Sequence, residues 1–241
     1  MKRIVIIGGG AAGLMAACTA NYIYRNGGAE ITAVEKNERP ARKLMITGKG
    51  RCNVCNNCDI DTLIANIPEN GRFLYSAFSG FAPQDTMTFF ESLGVPLKTE
   101  RGNRVFPVSD KAADIADALV KAAKKSGTKI IHGRAKKILT ENGAVSGVLL
   151  ENGETLPADS VILATGGMSY PLTGSTGDGY KMARVLGHTV AEIKPSLVAL
   201  NAHEGYCERL AGLSLKNVTL SVFEEGKKKP VFSEQIGRAH V

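Results

Sequence analysis

The residues best suited to chemistry stand at the start of the chain. Ile4-Val-Ile-Ile-Gly8-Gly9-Gly10-Ala11-Ala12-Gly13 carries a Gly8-x-Gly10-x-x-Gly13 pattern directly after a β-branched run. Each glycine has a separate task. Gly8 turns the chain out of a strand, Gly10 lets the backbone approach a pyrophosphate, and Gly13 lets a helix pack closely on the strand. A helix opening at Ala11 and Ala12 offers free N–H groups and its positive dipole end to phosphates. Glu35, next to Lys36, stands roughly twenty residues further on, where a carboxylate accepts hydrogen bonds from ribose hydroxyls and repels a 2′-phosphate.

These residues need a parallel sheet behind them. Arg3 to Ile7 reads as a buried strand, Ala11 to Asn26 as a helix stopped by Gly27-Gly28, and Glu30 to Glu35 as a second strand, together one βαβ unit. Asn37 to Ile60 is polar, rich in Gly and Cys, and reads as a long functional loop. Pro83 to Leu93 reads as a helix. Ser109 to Ser126 reads as another, with Ser109 as cap, Asp110 and Asp114 in its first turns and Lys124-Lys125 in its last. Lys129 to Leu150 reads as strands around an Asn142-Gly143 turn, and Asn152-Gly153 marks the next turn. Asp159 to Ala164 is expected to be a buried strand ending in Thr165-Gly166-Gly167, followed by a Gly-rich loop and a helix near Gly177 to Leu186. From Ser196 the pattern turns to β, with a hairpin from Val218 to Phe232 around a Lys-rich tip, so a boundary is placed near Pro195.

The composition narrows the class. The balance of 44% hydrophobic and 22% charged residues is that of a soluble globular chain. The net charge of +7 is scattered over Lys124-Lys125, Lys136-Lys137 and Lys227 to Lys229. Such runs read as solvated helix ends and a hairpin tip, so no nucleic-acid partner is expected. The five cysteines are odd in number and unevenly spaced, which suits a reducing cytoplasm better than a disulfide framework. The uncharged stretch to Tyr24 is broken by four glycines, so it is neither a signal peptide nor a membrane span. The oligomeric state does not follow from the sequence.

The glycine fingerprint does not separate FAD from NAD. Its start at residue 4 favours FAD, as does Val161-Ile-Leu-Ala164-Thr165-Gly166-Gly167, which resembles the second nucleotide-contacting strand of two-dinucleotide flavoproteins. No second Gly-x-Gly-x-x-Gly is present, so no separate NAD(P) domain of that kind is visible. Three further segments narrow the match: Lys43-Leu-Met-Ile-Thr47-Gly48-Lys49-Gly50-Arg51-Cys52-Asn53, Gly102-Asn-Arg104-Val-Phe-Pro107-Val-Ser109-Asp-Lys111-Ala, and Ala164-Thr-Gly-Gly167-Met-Ser169-Tyr-Pro171-Leu-Thr-Gly174-Ser-Thr-Gly177-Asp178-Gly179-Tyr. In this order they resemble the BaiN-type, aminoacetone-oxidase-like flavoprotein family, from residue 1 to about residue 235.

That resemblance implies an α/β fold: a Rossmann-like two-dinucleotide-binding FAD domain over 1–195, with a β-rich inserted domain beginning over 196–235. It implies bound FAD, with NAD(P)H a candidate donor. Gly8, Gly10, Gly13 and Glu35 match the family's pyrophosphate and ribose positions. Thr47, Gly48, Arg51, Cys52 and Asn53 match its loop beside the cofactor, where Arg51 is suited to neutralise phosphate and Asn53 to bond flavin edges. Asp178 is expected to cap a helix facing the cofactor, and Ala135 to touch adenine by its backbone. No catalytic acid or base is assigned; Ser169, Tyr170 and His188 read as structural, and Gly-x-Ser169-x-Pro is not a hydrolase nucleophile turn.

Two departures stand out. Cys55 replaces a hydroxyl residue of the family, giving Cys52-x-x-Cys55-x-x-Cys58, but a cluster normally wants a fourth thiolate and no metal is expected. Residues 236–241 match nothing in the family and read as a non-native tail, a translated sequencing adapter at a truncated gene end. The expectation is an FAD-dependent oxidoreductase acting on a small molecule, with hydride passing from NAD(P)H or an organic donor to flavin N5 and on to oxygen or an organic acceptor. Its rivals are an RNA-acting flavoprotein, a cysteine-based metal or redox module, and an incomplete fold without activity.

Overall fold

The structure, a computed structural model, describes residues 1–24, 27–195 and 203–240. The chain divides into two units, Met1–Glu192 and Ile193–Val241. In the first, the strands are β1 (Lys2–Ile7), β2 (Ala29–Glu35), β3 (Leu97–Glu100), β4 (Arg104–Pro107), β5 (Lys129–His132), β6 (Ala135–Glu141), β7 (Ala144–Leu150), β8 (Thr155–Pro157) and β9 (Ser160–Leu163). Its helices are α1 (Ala11–Ile23), α2 (Ile60–Ala65), α3 (Tyr75–Gly80), α4 (Pro83–Ser92), α5 (Ala112–Lys125) and α6 (Asp178–Val185). The second unit holds α7 (Tyr206–Arg209) and the antiparallel pair β10 (Ser214–Val222) and β11 (Phe232–His240).

Parallel strands in the order β5-β2-β1-β9 form the central sheet. β1 is sandwiched between layers, which is why Ile4 to Ile7 is an unbroken apolar run. Its alternation divides the core in two. Ile4 and Ile6 pack with Leu14, Ala17 and Ala20 of α1 and with Ile115, Ala116, Leu119 and Ala123 of α5. Val5 and Ile7 pack the other way, against Ile138, Val148 and Leu150 of the antiparallel β6-β7-β8 sheet. Asn142 and Gly143 join β6 to β7 with φ of 50° and 78°, the pair of left-handed residues that a two-residue hairpin turn demands.

Several expectations are corrected. α5 starts at Ala112, and Ser109 does not cap it; Lys111 holds the cap position without a side-chain bond. Asp110 is turned away into ion pairs with Lys98 and Arg51, and so it is outside the first helical turn. β9 is only half-buried, with Leu163 exposed at its end. The short helix α7 had no periodic signal. The start of the expected β region, at Ser196, and the end of the α1 pattern, at Asn26, lie outside the described residues. The hairpin is longer than read: Val222 pairs with Phe232 around the Lys227 to Lys229 tip, and β11 continues through the segment read as a tail to His240. Among the described residues no helix is long and apolar enough to cross a membrane.

Candidate nucleotide site

A cleft of about 290 Å³ opens where β1, β2 and β9 end, at the carboxyl edge of the parallel sheet. The glycine turn forms its floor. Gly8 has φ of +112°, and a Cβ there would sit 2.3 Å from the Ala164 carbonyl oxygen. A Cβ on Gly13 would sit 1.8 Å from the Gly8 oxygen, so α1 can press onto β1 only without a side chain there. Gly10 differs. Its φ of −80° and ψ of −170° suit any residue, and nothing lies within 4 Å of where its Cβ would be. The empty space faces the cleft at the N-terminus of α1, which has no acidic residue in its first turn and no side-chain cap. A helix start left uncapped beside a backbone stripped of side chains is suited to an anion.

Glu35 is buried at 7% exposure and heavily used. Its Oε2 accepts from the Gly9 N–H at 2.7 Å, and its Oε1 accepts from both the backbone and the side-chain nitrogen of Asn37 at 2.7 Å each. A carboxylate offers about four acceptor positions, so one remains, on Oε2, for a ligand hydroxyl. The carboxylate thus organises the glycine turn as well as facing the cleft.

Lys36 and Asp178 line the same cleft but hold each other, Nζ to Oδ2 at 2.8 Å, with Nζ also donating to Thr176 Oγ1 at 2.6 Å. Arg134 approaches Asp178 Oδ2 at 3.3 Å. Burial pushes the Asp178 carboxyl up, but the Lys36 bond and charge, with Thr176 and Arg134, outweigh it and hold it below the usual value. The expected capping role is corrected: Gly177, at φ +77°, precedes α6, and the Asp178 side chain instead ties the helix to the end of β2. Ala135, Ala164, Thr165 and Gly166 line the walls, while Gly167 lies behind, its carbonyl accepting from the Gly177 N–H at 3.2 Å.

The 43–53 loop divides. Lys43 and Thr47 reach the cleft; Lys43 Nζ donates to the Ser169 carbonyl at 2.7 Å and Thr47 Oγ1 to that of Leu44 at 2.8 Å. Gly48, at φ +55°, turns the chain away, where a Cβ would meet the Asn53 nitrogen at 2.7 Å. Arg51 is outside the cleft lining, which corrects the phosphate role given to it: Nη1 meets Glu100 at 2.9 Å and Asp110 at 3.2 Å. Cys52 and Asn53 line a separate apolar recess of about 280 Å³ that shares Ala11, Ala12 and Leu44 with the cleft. The Asn53 amide, oriented to satisfy its neighbours, donates to the Val105 and Cys55 carbonyls, so its nitrogen is engaged in the fold rather than with a ligand.

Cys52 is a core residue, its thiol raised by burial, which outweighs the opposing effect of its contact with Thr47. Burial, with Cys58 beside it, pushes the Cys55 thiol up to about 11. Among the described residues no group of three or more His, Cys, Asp or Glu stands together to hold a metal. Sequence reading missed Asn37, Arg42, Arg134 and Ser175, all of the cleft lining. An amide two residues past the strand-ending Glu35 was a readable signal for Asn37; Arg134 and Ser175 reach the cleft only through tertiary packing.

Comparison with known proteins agrees with this geometry. Residues 2–234 match the model of the HI0933-like protein Rossmann domain. The chain is 36% identical over 214 residues to the 3-dehydro-bile acid delta(4,6)-reductase of Clostridium scindens, covering 88% of this chain and 51% of that protein. It is 28% identical over 217 residues to the ribosomal RNA dihydrouridine synthase of Escherichia coli, covering 89% of this chain and 52% of that one. The chain therefore spans about half the length of these relatives. Among solved structures, adenosine-5-phosphosulfate reductase in complex with sulfite shares the fold, with a TM-score of 0.50 and 21% identity over 76% of this chain and 35% of that one.

Proposed function

Because the chain belongs to the HI0933-like family of flavoproteins, we propose that its cleft binds FAD by the adenosine diphosphate half, in an FAD-dependent oxidoreductase. The observation that carries this reading is the open space over Gly10 at an uncapped helix start, in the same cleft as the buried Glu35 carboxylate that holds Gly9. Gly10 admits the pyrophosphate to the backbone, and the first N–H groups of α1 receive its charge. Glu35 keeps one acceptor position for a ribose hydroxyl. The Lys36–Asp178 pair fixes the adenosine end, and Ala135 offers backbone there. FAD, when bound, supplies hydride transfer at its isoalloxazine ring.

The relatives' names, a reductase and a dihydrouridine synthase, both describe adding hydrogen to an organic acceptor. They support reduction of an unsaturated organic acceptor over transfer to oxygen; NAD(P)H is the donor this reading adopts. The ribosomal RNA relative motivates a second reading, an RNA acceptor. Two cations of the cleft lining, Lys36 and Arg134, are already paired with a carboxylate, which weighs against it, while Arg42 and Lys43 line the same cleft with no carboxylate partner among the described residues. Absorbance of the purified chain, after FAD addition and gel filtration, tests the main reading: a retained flavin spectrum supports it, and a colourless folded protein refutes it. NADH or NADPH bleaching then tests the donor. Steeply salt-dependent ribosomal RNA binding favours the second reading.

A further inference from the structure

The turn between Thr47 and Asn53 has an unusual backbone. Gly48, Lys49, Gly50 and Cys52 have φ of 55°, 59°, 82° and 62°. Lys49 and Cys52 carry a Cβ and disfavour this left-handed region. Something outside the turn must hold it.

Arg51 is at its centre. Its Nη1 lies 2.9 Å from Glu100 Oε1 and 3.2 Å from Asp110 Oδ1. Lys98 Nζ completes an alternating ring, 2.7 Å from Asp110 Oδ2 and 3.6 Å from Glu100 Oε1. Glu100 and Lys98 belong to β3, and Asp110 to the turn before α5, so three separate segments meet on one guanidinium. That guanidinium also stacks 3.9 Å from the ring centre of buried Phe106, whose Cε1 lies 3.0 Å from where a Gly48 Cβ would be. The far end of the turn is fastened too: the Val54 N–H donates to the Val105 carbonyl at 2.8 Å, and the Val105 N–H to that of Cys55 at 3.0 Å.

We propose that Arg51 is a positioning residue, which with Glu100, Asp110 and Lys98 clamps the left-handed turn so that Thr47 forms a wall of the nucleotide cleft and Asn53 a wall of the adjoining apolar recess. Its effect on the cofactor rests on the FAD reading of the cleft; its effect on the turn does not. The clamp acts on the ligand only through backbone. Removing the two carboxylates should therefore do the same harm as removing the guanidinium.

The test uses the full chain as wild type, R51M, R51K, E100Q/D110N and the combined R51M/E100Q/D110N. Amide hydrogen exchange of residues 47–54 is measured without cofactor, and FAD affinity by fluorescence titration. R51M and E100Q/D110N should each speed exchange in 47–54 by about tenfold, with β1 and β2 unchanged, and weaken FAD by a similar factor. The combined variant should be no worse than either, and R51K, which keeps a cation between the carboxylates but loses the planar stack on Phe106, should recover part of both losses. Unchanged exchange in E100Q/D110N would overturn the clamp. So would E100Q/D110N binding FAD as well as wild type while R51M does not, since Arg51 would then act on the ligand itself. If wild type binds no FAD, the FAD reading fails and the exchange data still decide the clamp. If R51M or E100Q/D110N does not fold, the single variants E100Q and D110N, each losing one of the two carboxylates, must show intermediate acceleration, and none would refute the proposal.

Discussion

Gly10→Ala separates folding from binding. At Gly8 and Gly13 an added methyl meets a carbonyl oxygen at 2.3 and 1.8 Å, so substitution there damages the apoprotein and says little about a ligand. At Gly10 the methyl meets nothing within 4 Å, and φ of −80° is open to alanine. Two small terms act on the apoprotein. Alanine reduces the entropy of the unfolded chain, worth about 0.4–1 kcal/mol in favour of folding. It is a poorer helix cap than glycine, costing roughly 0.5–1 kcal/mol. They nearly cancel, and at about 2–4 °C per kcal/mol for a unit of this size the melting temperature should move by less than about 3 °C. The same methyl occupies the space that brings phosphate oxygens to the N–H groups of α1. Losing one or two charge-assisted hydrogen bonds, at about 1.5–3 kcal/mol each, weakens FAD by at least about tenfold. Differential scanning fluorimetry on the apoprotein and calorimetric titration with FAD measure both sides. Wild-type affinity in Gly10→Ala would refute the pyrophosphate placement, and a fall in stability as large as that of Gly13→Ala would refute the described turn.

Glu35→Gln should lower apoprotein stability by about 1–3 kcal/mol in a urea melt, because the buried group accepts from Gly9 and twice from Asn37, and an amide must oppose one of those donors with its own. Asp159 should contribute to acid sensitivity: the side-chain and backbone bonds from Arg3 hold its carboxyl down to about 2. A carboxyl depressed on folding stabilises fully above its unfolded value of about 4 and loses that contribution as pH falls toward 2. The melting temperature of Asp159→Asn should therefore lie below wild type at pH 6 and converge on it toward pH 2. Iodoacetamide at pH 8 should leave Cys52 unmodified in the folded chain and label Cys55 slowly, since its thiol titrates near 11; rapid labelling of Cys52 by mass spectrometry would contradict its place in the core.

The nucleotide-binding βαβ was legible because local signals agreed. A β-branched run, spaced glycines and a strand-ending Glu35 are each short-range, and β1, β2 and the start of α1 at Ala11 follow from them almost to the residue, while α1 ends at Ile23, short of the Asn26 read from the sequence. The Asn142-Gly143 turn was legible for the same reason, since few residue pairs adopt two left-handed φ values in succession, and the Asn152-Gly153 turn because Gly153, at φ 89°, needs a glycine. Ser109 misled because its pattern is a good local cap, while Asp110 beside it is drawn into a tertiary ion pair with Lys98. Arg51 misled through resemblance: its place in a cofactor-side loop says nothing about which way the side chain turns, and its partners Glu100 and Asp110 are 49 and 59 residues away. Asp178 and Lys36 were both picked out from the sequence, yet their pairing across the cleft was not, because it exists only once β2 and α6 are packed.

The parallel neighbours of β1 are β2 and β9, with Ile4 opposite Ser160 and Ile7 opposite Leu163. On the ribosome these partners arrive far apart in time. At about 5–20 residues per second, the stretch from Glu35 to Leu163 takes roughly 6–26 seconds to synthesise. Through that interval one edge of β1 has no native strand beside it, and Gly8 has no Ala164 carbonyl to close against. The glycine fingerprint is thus translated well before the strand that completes it. A nascent chain stalled before residue 160 should be unable to retain nucleotide, and should be the form most in need of a chaperone.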